Sequence, residues 1–350
     1  MSGHGLLLVG GSAGAVSALR DLIGQLPADL PACVLVVLHL PRAGGSSVLP
    51  EILDRAGPLP VRAARDGDLL EPGQVLVAPA ERHLVVADGR VVLSSGPAEN
   101  GQRPSVDVLF RSAAAAHGPD VVAAVLTGNL DDGSAGLCAV ARNGGIAVVQ
   151  DPDDALFPGM PRNALAAVPD AQTAPLAELP ALLTSLVRSP AGPRPVLFVT
   201  GDALDVLEVR SALGQRLGPE VGAHPGTPSP YSCPDCTGVL FAIDDGPLPR
   251  YRCRVGHAWS AEALSEQQER AVETALWVAL RALEEREAMA DDVARSAGRS
   301  GRVRSEQHFR RRAAEASRHA AVLRALLVDD AGPAEPAPAD VHRDVAGPAA

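Results

Sequence analysis

Short runs of almost purely apolar residues alternate with helical segments through the first half of the chain. Four of these runs are LLLVG (6–10), CVLVVLH (33–39), VVAAVLT (121–127) and GIAVVQ (145–150). Strands that are apolar throughout are typical of a parallel sheet that is covered on both faces. Together with the helices between them, they predict a doubly wound, mostly parallel α/β sheet.

The middle of this region has a different pattern, in VLVAP (75–79), HLVVAD (83–88) and RVVLSS (90–95). The last two are separated by Asp88-Gly89, a pair that favours the tight turn of a β-hairpin. We therefore expect these three segments to form an antiparallel hairpin insertion.

Changes in composition divide the chain into regions. Pro and Gly are frequent after residue 188, although PVLFVTGDALDVLEVRSALGQRL (195–217) favours one short strand and one helix. We expect an α/β domain at 1–188, a Pro- and Gly-rich linker region at 189–230, a Cys/His module at 231–258, helices at 259–328 that are broken near SAGRSGR, and a disordered tail at 329–350.

Charge and hydropathy exclude some classes of protein. The chain of 350 residues has a formal net charge of −11, so we expect no nucleic-acid partner. No apolar run approaches the roughly 20 residues of a membrane helix, and the N-terminus lacks a signal-peptide pattern. We therefore expect a cytoplasmic protein without membrane insertion. Cys33 and Cys138 lie alone in apolar segments and are expected to be small buried side chains.

The stretch LLLVGGSAGAVSAL (6–19) places a glycine-rich turn between the first strand and a helix. Such a turn can bind a phosphate, but the second strand ends in His39 where a dinucleotide fold has an acidic residue, and no Walker lysine follows the glycines. The turn also reads G-x-S-x-G around Ser12, which is the pattern of a nucleophile elbow. The sequence favours the nucleophile, with a nucleotide site as the weaker alternative.

Ser12, His39 and the pair Asp131-Asp132 each follow a predicted strand, so we expect them at the same edge of the sheet. A histidine that takes the serine proton and a carboxylate that orients the histidine would support acyl transfer. Backbone N–H groups at the helix start, that of Ala13 included, would stabilise an oxyanion. Structural alternatives stay open: an N-cap for Ser12, a strand end for His39, and a turn or a magnesium site for the aspartates.

Residues 5–185 resemble the catalytic domain of the chemotaxis protein-glutamate methylesterase family, CheB. The matching segments are VGGSAGA, VLHLP, VLVAPAERHL, PSVDVLF, AVLTGNLDDG and FPGMPRNAL. The resemblance implies a Ser–His–Asp triad that needs no cofactor and hydrolyses glutamate methyl esters on the cytoplasmic helices of methyl-accepting chemoreceptors; many members also deamidate glutamines. It implies Ser12 as nucleophile, His39 as base and, because the family's aspartate directly precedes a glycine, Asp132 as the residue that orients His39.

The chain differs from the family pattern at three points. The family often has T-G-M-G before the aspartate, where this chain has Thr127-Gly128-Asn129-Leu130, and the resemblance places this loop, Asn129 included, beside the oxyanion. Gly14 is followed by Ala15 instead of a second glycine. Many members begin with a receiver domain, whereas this sequence starts at the catalytic strand, so we expect a stand-alone form.

Two further residues lie in segments that match the family. Arg162 in GMPR is a candidate for contact with substrate carboxylates, with a structural role at a helix N-terminus as an equal alternative. His83 lies in ERHL.

The segment YSCPDCTGVLFAIDDGPLPRYRCRVGHAW has four donors with the spacing of a zinc site, Cys233, Cys236, Cys253 and His257. Four protein ligands predict a structural Zn²⁺ in a small zinc-ribbon-like module, with VLFAID and LPRYRC as strands joined at Asp245-Gly246. Reduced thiols or disulfides are the alternatives. The segment also resembles a C-terminal extension of some stand-alone methylesterase-like proteins.

The helical region has apolar residues at helical spacing through Ala271, Ala275, Val278, Ala282 and Met289. This pattern predicts an amphipathic hairpin that packs on itself or on the module. The alternative is a surface for docking or for self-association.

The sequence thus favours a methylesterase of this family. One alternative is a serine hydrolase of the same fold that acts on another ester or amide. Another is a catalytically idle scaffold that binds receptor-like helices.

Overall fold

The structure is a computed structural model that describes residues 5–39, 48–189, 203–215, 226–244 and 248–329. The chain divides into two compact units, Met1–Ser265 and Glu266–Ala350. The first part of unit 1 contains, in order, β1 (Gly5–Gly11), α1 (Ala15–Gly24), β2 (Ala32–Leu38), α2 (Leu49–Asp54), β3 (Val61–Ala63), β4 (Gln74–Val77), β5 (His83–Ala87), β6 (Arg90–Ser94), α3 (Val106–His117), β7 (Val121–Val125), α4 (Ser134–Arg142), β8 (Ile146–Gln150), α5 (Gly159–Ala167), β9 (Gln172–Ala174) and α6 (Leu179–Arg188).

Seven of these strands form one parallel sheet in the order β3-β4-β2-β1-β7-β8-β9. Successive side chains of β1 enter opposite cores, Leu6 and Leu8 one and Leu7 and Val9 the other. Helices α3, α4 and α5 contribute to the first core, and α1 and α6 contribute to the second. Because both faces are covered, the strands are apolar throughout, which confirms the predicted doubly wound fold.

The hairpin insertion is smaller than predicted. Strands β5 and β6 form a separate antiparallel pair, and Asp88 and Gly89 have the positive φ values, 49° and 70°, that a tight hairpin turn requires. The VLVAP segment was wrongly placed in this insertion: β4 pairs in parallel with β2 and β3 in the main sheet. Its Val75, Leu76 and Val77 are all buried, as in the other central strands.

The rest of unit 1 contains α7 (Ala203–Ala212) and four strands, β10 (Thr227–Ser232), β11 (Val239–Ile243), β12 (Arg250–Cys253) and β13 (Ala258–Ser260). These strands form one sheet in sequence order, which we name the Cys/His module. The antiparallel pairing of β11 and β12 agrees with prediction, while their expected joining turn at Asp245-Gly246 lies outside the described residues, as does the strand expected before α7.

Two helices end the described chain, α8 (Ala261–Arg299) and α9 (Val303–Asp329), and the break at residues 300–302 is where SAGRSGR predicts it. An ion pair between Arg324 and Glu284 joins the two helices. The predicted apolar stripe of α8 is wrong, because all five of its residues are exposed. The buried residues are Leu280, Ala290, Ala294 and Ala297, which lie roughly 100° further around a helix of 3.6 residues per turn.

Three smaller predictions also have outcomes. Cys33 is fully buried, and this burial raises its thiol pKa to about 12, whereas Cys138 is only half-buried. Within the described residues, no helix has the length and apolarity that crossing a membrane requires. The predicted tail beyond Asp329 lies outside the described residues.

Candidate active site

Ser12 lies directly after β1, the strand at the centre of the parallel sheet. Its backbone N–H donates to the carbonyl oxygen of Thr127, which follows the neighbouring strand β7 (3.0 Å). Gly14 has a φ of 75° at the N-cap of α1, a conformation that glycine adopts at little cost. The turn therefore presents a half-buried Ser12 between two strand ends, at the carboxyl edge of the sheet.

His39 and Asp132 form a hydrogen-bonded pair at the same edge. Nε2 of His39, directly after β2, lies 2.7 Å from Oδ2 of Asp132. The backbone N–H of His39 donates to the carbonyl oxygen of Gly11, which places the histidine next to the Ser12 turn (3.3 Å). The structure thus brings together the three residues that the sequence singled out.

Asp132 is almost fully buried and accepts three further hydrogen bonds from the start of α3. The donors are the hydroxyl of Ser105 (2.9 Å) and the backbone N–H groups of Val106 (2.8 Å) and Asp107 (3.2 Å). Burial alone would raise the pKa of Asp132, but the hydrogen bond and charge of His39, with the Val106 and Ser105 donors, lower this pKa to about 2. Asp132 is therefore a carboxylate at neutral pH.

The sequence analysis missed this role of the α3 start. His83, which it noted only as a matching residue, accepts the Ser105 N–H at Nδ1 (3.3 Å) and donates from Nε2 to the Pro97 carbonyl oxygen (3.0 Å). Asp107 accepts the N–H groups of Gly133 and Gly136 at one oxygen, which ties α3 to the start of α4 (2.9 and 2.6 Å). The available signal was PSVD, a proline and a capping serine at a helix start.

Ala13 and Asn129 lie on either side of Ser12. Among the described residues, neither backbone N–H donates a hydrogen bond to an acceptor. The loop that carries Asn129 approaches Ser12 closely, since a Cβ on Gly128 would lie 3.0 Å from that of Ser12 and 2.1 Å from Sδ of Met160. Two unpaired N–H groups beside a serine could bind a developing oxyanion.

Arg162 is exposed in the first part of α5. Within the described residues its guanidinium has neither a hydrogen bond nor an ion pair, so the structural role at the helix start finds no side-chain contact.

Asp131 lies apart from His39 despite its position beside Asp132. It is buried, and its Oδ1 accepts a hydrogen bond from the hydroxyl of Ser260 in β13 (2.7 Å). Burial raises the pKa of Asp131 to about 6, although the Ser260 bond lowers it. The two aspartates therefore have different surroundings, and only Asp132 is bonded to the histidine.

The four predicted zinc donors form one cluster in the Cys/His module. Their ligand atoms all lie within 4.8 Å of one another. Sγ of Cys236 is 3.6 Å from that of Cys253, which in turn is 3.5 Å from Nδ1 of His257. Zinc–sulfur bonds of about 2.3 Å place two tetrahedral thiolates about 3.8 Å apart, so the spacing suits Zn²⁺.

Asp235 lies next to the zinc-donor cluster. One of its carboxylate oxygens is 4.0 Å from Nε2 of His257. A carboxylate in this position orients a metal-bound imidazole through its outer nitrogen.

A doubly wound α/β sheet with a serine, a histidine and a buried aspartate at its carboxyl edge defines the class, an α/β protein with the groups for serine-nucleophile chemistry. Within that class, the chain belongs to the CheB methylesterase family, whose family model matches residues 7–183.

Known proteins of this family are similar over the same domain. The chain is 40% identical over 164 residues to protein-glutamate methylesterase/protein-glutamine glutaminase 2 of Methanosarcina mazei, covering 45% of this chain and 44% of that protein. It is 44% identical over 164 residues to protein-glutamate methylesterase/protein-glutamine glutaminase 1 of Anaeromyxobacter dehalogenans, covering 46% of each. The match thus spans less than half the length of these curated relatives.

A solved structure supports the same assignment. The CheB methylesterase catalytic domain of Thermotoga maritima is 31% identical, with a TM-score of 0.50, and the match covers 53% of this chain and 100% of that chain. The Cys/His module and the C-terminal helices lie beyond the family match.

Proposed function

We propose that this protein is a protein-glutamate methylesterase of chemotaxis, acting in the cytoplasm on the helices of methyl-accepting chemoreceptors. The observation that carries the proposal is the 2.7 Å contact between His39 and a buried, charged Asp132, beside Ser12 at the carboxyl edge of the sheet. The names of the relatives supply the substrate class and add glutamine deamidation as a second reaction.

In the first half of the reaction, the hydroxyl of Ser12 attacks the ester carbonyl carbon of a methylated glutamate. His39 takes the serine proton at Nδ1, because its Nε2–H is held by Asp132, and the carboxylate stabilises the resulting imidazolium. The N–H groups of Ala13 and Asn129 stabilise the oxyanion. The intermediate then collapses, the C–O bond to the methoxy group breaks, and His39 protonates the leaving group to methanol.

In the second half, His39 removes a proton from water, which attacks the acyl-enzyme carbonyl. The Ser12 ester breaks, the serine regains its proton from His39, and a glutamate carboxylate leaves. A glutamine side chain would follow the same steps and release ammonia. The exposed guanidinium of Arg162 is available to attract acidic groups of the receptor near the site.

The proposal is tested by methanol release from a methylated chemoreceptor cytoplasmic fragment. Ser12→Ala should lower the rate by about three orders of magnitude or more, since removal of one triad member disables the unit. Ser17→Ala, at an exposed position on α1, is the matched control and should keep the wild-type rate.

Absence of methanol release from folded wild-type protein would contradict the proposal. A serine-directed fluorophosphonate that still labelled Ser12 would then favour a hydrolase for another ester or amide. Failure to label would favour an idle scaffold.

We infer that Cys233, Cys236, Cys253 and His257 hold a structural Zn²⁺ in the Cys/His module. Four protein donors within 4.8 Å of one another close the coordination sphere, so the metal would stabilise the module and take no part in ester hydrolysis. Metal analysis of the purified protein should find one zinc per chain, and Cys236→Ser should lower this content.

The exposed apolar residues of α8 support a further role as an association surface. Trp277 and Val278 are 46% and 53% exposed, and Met289 is 69% exposed. We infer that this face of α8 mediates self-association, and sedimentation of the Val278→Glu variant against wild type tests it.

A further inference from the structure

The loop that carries Asp132 is held from both sides. On one side it rests on α3, through the donors to Asp132 described above. On the other side its two preceding residues, Leu130 and Asp131, contact the Cys/His module and the first turn of α8. These residues all belong to unit 1, so the contacts lie within one compact body.

Leu130 has an unfavourable backbone conformation. Its φ is 61°, in the left-handed region where a residue with a Cβ is strained and glycine is favoured. Its side chain packs against an apolar cluster of the module and of α8, which includes Leu240, Trp259 and Leu264. Contact with this cluster accounts for a leucine here, because burial of its side chain offsets the strain.

Ser260 connects the loop to three structural elements. Its hydroxyl donates to Asp131 (2.7 Å) and accepts the N–H of Ala263 in the first turn of α8 (3.0 Å). Its backbone N–H donates to the side-chain oxygen of Asn100 (2.8 Å). A single buried serine thus joins the catalytic loop, the N-terminus of α8 and the loop before α3.

Asn163 of α5 adds a second connection. Its side-chain amide donates to the carbonyl oxygen of Leu130 (3.0 Å) and to a carboxylate oxygen of Glu262 (2.5 Å). Leu130 is therefore held at its side chain by the module and at its carbonyl by an amide that also binds α8.

The module itself is fixed to the α/β domain, so it can restrain the loop. Backbone hydrogen bonds join Ala258 to Ala98 (3.3 Å) and to Asn100 (2.8 Å). Arg252 of β12 reaches the buried carboxylate of Glu99 (2.8 Å).

We propose that Ser260, Asp131 and Leu130 are positioning residues, through which the Cys/His module holds the 127–132 loop so that Asp132 and the Asn129 N–H stay in place beside Ser12. The catalytic role of the loop rests on the proposed function, but its restraint by the module does not. In this chain, the module would be part of what makes the active site rigid.

The experiment measures hydrogen exchange of the 127–134 backbone together with methanol release. Ser260→Ala removes the hydroxyl that donates to Asp131, and Asp131→Ala removes its acceptor without touching the N-terminus of α8. Both should raise the exchange rate of 127–134 about tenfold and lower kcat about tenfold, with KM changed less than about twofold. Ser260→Thr keeps the hydroxyl and should restore both values.

Ser229→Ala is the matched control, because it removes a hydroxyl of the module that donates to Leu240, away from the loop. Unchanged exchange of β1 shows that a variant has folded. The proposal is overturned if Ser260→Ala and Asp131→Ala leave exchange of 127–134 at the wild-type rate. If wild-type protein releases no methanol, the proposed function fails, and the exchange data alone still decide whether the module restrains the loop.

Discussion

At the scale of single residues, the candidate site depends on the different environments of neighbouring carboxyl groups. Asp132 accepts four hydrogen bonds and stays charged, whereas Asp131 accepts the Ser260 hydroxyl and has a pKa raised by burial. Burial and the nearby Asp132 charge also raise the pKa of Asp107 well above its ordinary value. A charged acceptor for His39 is thus kept beside two carboxyl groups that favour their neutral forms.

Ser105→Ala should weaken the proposed catalysis without removing a triad member. The variant leaves Oδ1 of Asp132 with one donor fewer, so the pKa of Asp132 should rise and kcat should fall about tenfold. Ser112→Ala removes another buried hydroxyl of α3, one that contacts Val86 and Leu109 instead, and should leave kcat unchanged. Steady-state methanol release compares them, and equal kcat values for both variants would contradict this role.

Asp131 should make folding stability depend on pH. Its pKa is about 6 in the folded protein against 3.8 as the ordinary value, so the folded state holds the proton more tightly. The free energy of unfolding should therefore fall as the pH rises from about 4 to about 6, by at most roughly 3 kcal/mol for this group. Asp131→Asn, which keeps an oxygen for Ser260, should reduce that decline.

Urea unfolding of wild type and Asp131→Asn at several pH values measures the effect. Parallel curves for the two proteins between pH 4 and 6 would contradict the raised pKa.

At the scale of elements, α7 is joined to its neighbours by buried charges. Glu208 pairs with Arg111 of α3 (2.9 Å) and with Arg252 of β12 (2.8 Å), and Arg250 lies 3.2 Å away. Burial would raise the pKa of Glu208, but these three guanidinium groups hold it well below its ordinary value. A helix from the region predicted as a linker thus connects the α/β domain to the Cys/His module.

Glu208→Gln should destabilise the protein strongly, because it leaves buried arginines without one of their two carboxylates. Loss of one partner from a buried ion pair costs about 3–5 kcal/mol in the free energy of unfolding. Val206→Ala, at an exposed position on the same helix, should change this free energy by less than about 0.5 kcal/mol. Denaturant unfolding compares the two, and similar small changes would show that the charge cluster contributes little.

At the scale of the whole molecule, the α/β domain and the Cys/His module belong to one compact unit. Backbone bonds between Ala258 and the 98–100 loop, and ion pairs of the β12 arginines, cross between them. Elements that share such contacts should unfold together, and the C-terminal helices form a unit of their own.

Removal of zinc should therefore lower the Tm of the α/β domain as well as that of the module. We expect a decrease of about 5 °C or more in a single transition on chelation, because metal binding stabilises only the folded state. Cys236→Ser should reproduce the decrease, and Cys138→Ser, outside the cluster, should cause less. Calorimetry that showed an unchanged main transition and a separate small one would contradict this coupling.

Much of this architecture is determined locally by the sequence. Strands such as CVLVVLH are apolar because both of their faces are buried, and a local pattern records that burial directly. Gly14 marks the turn after Ser12 because its backbone has a positive φ, and the Cys and His spacing marks the metal-type cluster. Residues that follow neighbouring parallel strands meet at one edge, so the grouping of Ser12, His39 and Asp132 could be predicted.

Tertiary structure decided what depends on contacts between distant segments. The pairing of β4 with β2 depends on which strand edge is free, and VLVAP alone does not specify it. The exposed side of α8 depends on its neighbours, so periodicity chose the wrong face. The donors to Asp132 and the Ser260 bond to Asp131 join residues 25 to 129 positions apart. Such contacts have no local pattern, because only packing of the whole unit brings these groups together.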